Sequence, residues 1–212
     1  MHDEDDFKFE PIPGLPEALP EGEYILWQGR PNSLRLAKEA LKLNWVLGYF
    51  LVLAIWRVGI SSTTLPFGQA LAYGTPFLFG GIVAGAILYL IASVQARSTI
   101  YTLTNKRAAL RIGAALTMTL NLPYVQIMNA NLMLRKSGMG TIAFELMGDT
   151  RLSYLMTWPH ARPWRFTKTE PAFRAIPDAA RVAAIFAEAA EARVHEPKIV
   201  EISPSTDPIA AE

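Results

Sequence analysis

The sequence predicts a membrane protein of the α+β class, in which a two-helix transmembrane hairpin anchors a mostly β-structured domain that ends in a helix. Three observations carry this. Between Leu43 and Ala96 the chain holds a single charged residue, Arg57. From Ile100 onward apolar residues recur at alternate positions, the period of a half-buried strand. Charge is also segregated: residues 1–44 carry nine acids and five bases, whereas residues 97–181 carry four acids and twelve bases. The formal net charge of +1 hides that split and gives no reason to expect nucleic acid as a partner.

Residues 1–20 are acidic and then proline-rich (PIPGLPEALP), which favours extended chain over helix. They lack the basic start and apolar core of a signal peptide. Residues 21–42 supply a first strand, Glu23 to Gln28, closed by Gly29-Arg30-Pro31. Asn32 or Ser33 then caps a helix running through Leu43, whose bases Arg35, Lys38 and Lys42 suit a membrane surface or a direct lead into the first span.

Residues 43–60 form that span; eighteen residues at about 1.5 Å each nearly match a hydrocarbon core of about 30 Å. Trp45, Tyr49 and Trp56 lie near its ends, and Arg57 is close enough to the far end to snorkel outward. Residues 61–74 are a short, uncharged loop, and residues 75–96 are a longer second span. Arg35, Lys38 and Lys42 precede the pair, Arg97, Lys106 and Arg107 follow it, and the loop has no Lys or Arg. Both termini are therefore expected on the cytoplasmic side. Gly81 and Gly85 form a small-residue step that permits close helix packing, either against the chain's own first span or against another protein's helix.

Residues 97–194 hold the main domain. Ile100–Thr104 and Ala108–Ile112 read as strands joined at Asn105-Lys106. Met118 to Leu122 alternates and ends at Pro123; Ile127–Leu134 continues the sheet, and Ile142–Leu146 alternates again after the Gly138-Met139-Gly140 turn. Arg151–Trp158 reads as a further strand. About six short strands at regular spacing favour a small barrel or sandwich. Pro177-Asp178 opens a helix to Val194 with Val182, Ile185, Phe186 and Ala189 on its packing face. Residues 195–212 carry no packing pattern and are predicted to be disordered.

Little in the chain suggests chemistry. With no cysteine, disulfides and thiolate sites are excluded. There is no phosphate-cradling glycine loop, HExxH, GxSxG or histidine pair at metal spacing, so neither an enzyme nor a resident cofactor or metal is expected. The segment that stands out is WPHARPWR. Within it Trp158, His160, Arg162, Trp164 and Arg165 are candidate partner-binding residues, since Trp and Arg concentrate at binding hot spots. Alternatively, the two tryptophans pack the domain rim or rest at the lipid interface. His160 is either a metal or pigment ligand or an ordinary solvated or hydrogen-bonded histidine.

The order of Gly22-Glu23, LWQGRP (Leu26 to Pro31), an apolar hairpin, YTLTNKR (Tyr101 to Arg107) and Arg111 to Gly113 resembles bacterial membrane-anchored pleckstrin-homology-like domains. That resemblance implies a seven-stranded β-barrel capped by a C-terminal helix, with the strand before the hairpin joining the later strands. FEPIPGLPE (Phe9 to Glu17), TLNLPYVQI (Thr119 to Ile127), WPHARPWRF (Trp158 to Phe166) and PDAARVAAIFAEA (Pro177 to Ala189) resemble, more closely, the PuhB family of photosynthetic-complex assembly proteins of purple phototrophic bacteria. This implies a non-enzymatic factor in the bacterial inner (intracytoplasmic) membrane that helps build the reaction-centre and core light-harvesting complex. The partners implied are reaction-centre subunits, core light-harvesting polypeptides, membrane lipids or a second copy of the chain. Competing expectations are an anionic-lipid-binding module and a bacteriochlorophyll-delivery factor with His160 as magnesium ligand.

Overall fold

Strand β1 (Ile25–Gly29) lies before the apolar region and strand β2 (Ile100–Thr104) after it, yet the two pair antiparallel, with Gln28 opposite Thr102 and Gly29 opposite Tyr101. The helical segment is thus an insertion between two neighbouring strands, as the family resemblance implied. In the computed structural model, which describes residues 11–113, 117–148 and 152–194, β2 continues through the Asn105-Lys106 turn into β3 (Arg107–Ile112) and then β4 (Met118–Pro123), giving a sheet in the order β1-β2-β3-β4. A second sheet, in the order β5-β6-β7, contains β5 (Ile127–Leu134), β6 (Gly140–Leu146) and β7 (Ala172–Ile176).

The barrel expectation needs correction: the strands form two sheets and not a closed cylinder. Pro123, which has no N–H to extend a ladder, ends β4, and the turn at Tyr124–Gln126 carries the chain to the other sheet. At one corner the Asn32 N–H donates to the Ala175 carbonyl (2.8 Å). The terminal helix α6 (Ala179–Val194) packs on the shared core. Aromatic residues dominate that core. Phe173 stacks on Tyr101 at 4.7 Å and meets Phe144 edge-on at 5.0 Å, while Phe186 of α6 contacts both Tyr124 and Phe144.

Four local readings also change. The helix that begins at Asn32 stops early: α1 spans Ser33–Glu39, and Lys42 adopts a left-handed backbone (φ 56°). This break lets α1 fold back so that Leu36 and Ala37 pack with Leu43, Ala92 and Ala96. The predicted loop 61–74 contains a helix, α3 (Phe67–Ala72). Within the predicted strand Arg151–Trp158, residues 154–157 form one helical turn, α5 (Tyr154–Thr157), whose Thr157 hydroxyl donates to the Ser153 carbonyl. β7 was not anticipated. Residues 11–20 are irregular turns with Leu15 buried; the first ten residues and the predicted disordered tail, residues 195–212, lie outside the described residues.

The two long helices are α2 (Leu43–Ser61) and α4 (Thr75–Ser98), the latter following α3 across Tyr73-Gly74. Both α2 and the helical stretch Phe67–Ser98 are long and apolar enough to cross a membrane. They pack against each other through the glycine step. A Cβ on Gly81 would sit 2.9 Å from the Phe50 Cβ, and one on Gly85 would sit 3.0 Å from the Leu47 Cδ2, so α2 occupies the glycine face. Elsewhere the helices present Trp45, Leu51, Val52, Ile55, Ile82 and Leu90 outward. Each such side chain gains about 1.5–3 kcal/mol on leaving water, which makes an aqueous setting for this surface costly.

Candidate functional site

The distinctive WPHARPWR segment lies in the β6–β7 connection, and the structure splits it into an inward and an outward half. His160 faces inward and is 2% exposed. Its Nε2 is 3.1 Å from the Thr99 hydroxyl and its Nδ1 is 2.6 Å from the Tyr101 hydroxyl. The Thr99 hydroxyl donates to the Gln95 carbonyl at 2.7 Å, so its oxygen is left to accept the Nε2–H. Nδ1 then accepts from the Tyr101 O–H, and the Tyr101 oxygen accepts the Arg174 backbone N–H at 3.2 Å. One directed chain of hydrogen bonds therefore runs from β7 through β2 and His160 into the last turn of α4.

The electrostatics agree with that assignment. Burial, with Arg174 adding to it, pushes the His160 pKa down to about 3, so the ring is neutral at physiological pH. Burial likewise lifts Tyr101 well above the usual phenol range. Arg174 is itself buried and donates from Nη1 to the Pro159 carbonyl at 2.8 Å. On the other side of the same junction, buried Arg111 of β3 donates from Nη1 to the carbonyl of Ser98, the final residue of α4 (3.2 Å). A cation at that position opposes the negative end of the helix dipole.

The arginines of the motif are tied down as well. Arg162 pairs with Glu170 at 2.8 Å and Arg165 with the same carboxylate at 3.4 Å. The outward half is aromatic and aliphatic: Trp164 is 77% exposed, Leu155 83%, Met156 68% and Phe166 61%, with Trp158 at their margin. Of the five residues singled out in the sequence, then, Trp164 is fully outward, Trp158 is partly so, Arg162 and Arg165 flank them, and His160 is enclosed. Both His160 ring nitrogens are engaged, which leaves no free lone pair for a pigment magnesium. Among the described residues no group of three or more His, Asp or Glu could hold a metal ion.

Sequence reasoning did not single out Thr99, Tyr101, Arg111, Glu170 or Arg174. The usable signal was an arginine flanked by apolar residues inside each of two strands, Arg111 in RAALRI and Arg174 in AFRAI, where a charge implies a buried partner. Two further apolar surfaces are open. One is a groove of about 450 Å³ between β5, an edge strand, and α6, lined by Tyr124, Ile127, Leu132, Ala183 and Phe186. The other is a notch on α2 at Gly48, bounded by Trp45, Tyr49 and Val52.

Comparison with known proteins accords with this architecture. A protein of Rhodobacter capsulatus, described as an uncharacterized 23.7 kDa protein in the puhA 5′ region, is 45% identical over 202 residues, covering 92% of each chain. No solved structure matches the chain. The bacterial PH domain family matches residues 45–190, a span that begins after β1 and takes in nearly all of α2, the whole of α4, six of the seven strands and most of α6. The chain belongs to the bacterial PH domain family.

Proposed function

We propose that this chain is a non-enzymatic scaffold, anchored in the inner membrane by α2 and α4, that helps assemble the photosynthetic reaction-centre core complex. The observation that carries this reading is the relative from Rhodobacter capsulatus, nearly half identical over almost the whole chain and named for its place in the 5′ region of puhA, a photosynthesis locus. The surfaces suit such a role. The Gly48 notch on α2 faces away from α4 and fits a partner's transmembrane helix. The groove between β5 and α6 has a free strand edge beside an apolar floor, which fits an extended segment of a partner subunit.

The test is deletion of the gene followed by native-gel analysis of phototrophically induced membranes. Assembled core complex should fall while bacteriochlorophyll synthesis stays unchanged, and tagged protein should co-purify reaction-centre subunits. Wild-type levels of core complex in the deletion strain would overturn the reading.

A further inference from the structure

We propose that the outward face of residues 154–166 is a second membrane contact, in which Leu155, Met156, Trp158, Trp164 and Phe166 seat in the boundary between lipid headgroups and acyl chains beside the emerging end of α4. The inference rests on the reading that α2 and α4 cross the bilayer.

Topology places this face at the membrane end of the domain. The helical insert leaves the sheet between Gly29 and Ile100. Arg111 pairs with Ile100 in register, so β3 finishes at the same end. The β6–β7 connection is brought there by His160, bonded to Thr99 one residue beyond α4. Trp45, in the first turn of α2 and exposed, belongs to that end too.

Composition selects lipid as the occupant. The Phe166 ring lies 4.7 Å from Tyr154 and 6.1 Å from Trp164, so these rings form one cluster, and Leu155 and Met156 next to Tyr154 are exposed as well. Trp45, at the same end, is likewise exposed, and such rings favour the bilayer interface. Arg162 and Arg165 lie beside it on Glu170, and Lys168 pairs with Glu145, so three bases against two acids leave a net positive rim suited to anionic headgroups. Trp164 also holds a left-handed backbone (φ 66°), unfavourable for a tryptophan, while its ring projects outward. A lipid environment for the ring offsets that conformation.

The absence of cysteine makes the test direct. Leu155→Cys and Trp164→Cys, both at exposed positions, are labelled with an environment-sensitive fluorophore and the full chain is reconstituted in vesicles containing anionic lipid. Ile87→Cys in the middle of α4 and Glu188→Cys on α6 serve as references. The proposal expects blue-shifted emission at positions 155 and 164, quenched more by nitroxides near the headgroup than by deep ones. Position 87 should show the reverse depth preference and position 188 no quenching. If position 87 is quenched but 155 and 164 behave like 188, the second contact is overturned and the spans stand. If position 87 is also unquenched, the membrane reading fails and the proposal with it. Protection of 155 and 164 in native membranes but not in vesicles overturns lipid in favour of a protein partner.

Discussion

Helix α4 is held in two different ways along its length. In its middle, Gly81 and Gly85 admit Phe50 and Leu47 of α2, a contact made by shape alone. At its last turn the Ser98 carbonyl accepts from Arg111, and the Thr99 hydroxyl donates to the Gln95 carbonyl while accepting from His160, which accepts in turn from Tyr101. Shape brings two helices close but leaves their rotation loosely fixed, whereas a chain of hydrogen bonds specifies an orientation. The two long helices are therefore paired by packing, and the domain's posture on them is set by the polar junction.

The strongest break of the junction is His160→Ala, which removes two buried hydrogen bonds and opens a cavity. It should cost about 3 kcal/mol in urea unfolding of the detergent-solubilised protein, with hydrogen exchange rising at the last turn of α4 and in β7. Breaking the other region by Gly81→Val should cost about 2 kcal/mol by overpacking against Phe50, and exchange should rise in α2 and α4 while β7 stays protected. If both variants loosen the same amides, the two regions are not separate. Tyr101→Phe is gentler: it keeps the ring stacked on Phe173 but removes the link between His160 and Arg174, for a loss of about 1.5 kcal/mol.

The perturbation that needs no substitution is pH. His160 is harder to protonate folded than unfolded, so the unfolded chain takes up more protons between the ordinary value near 6.5 and the folded value of about 3. Its contribution is fully present above pH 6.5 and declines as pH falls through that window, by about 1.4 kcal/mol per unit at most. His160→Gln should flatten this component; an unchanged slope would show that carboxylates carry it.

Both helices of the insert were legible because their apolar runs are continuous and nearly uncharged. The β1–β2 pairing came from family resemblance, since no periodicity links Gln28 to Thr102 across the insert. α5 was misread because Leu152, Tyr154, Met156 and Trp158 alternate like a strand, although the backbone there makes a single helical turn. β7 was missed because AFRAI is short, follows a proline and contains an arginine; its burial depends on Pro159 and Tyr101, which no local pattern reveals. WPHARPWR was correctly marked as unusual, but the inward turn of His160 depends on residues some sixty positions away.

Pairing of β1 with β2 also imposes an order in time. Ile25 cannot meet Thr104 until the chain between them has been synthesised, and closing so long a loop is slow unless its ends are already near each other. Antiparallel packing of α2 on α4 does this, returning the chain to within reach of its starting point. For a chain whose helices enter the bilayer during synthesis, insertion comes first and completion of the sheet follows. A molecule that failed to insert would leave β1 waiting and the edge of β2 bare, a ready template for pairing with another chain.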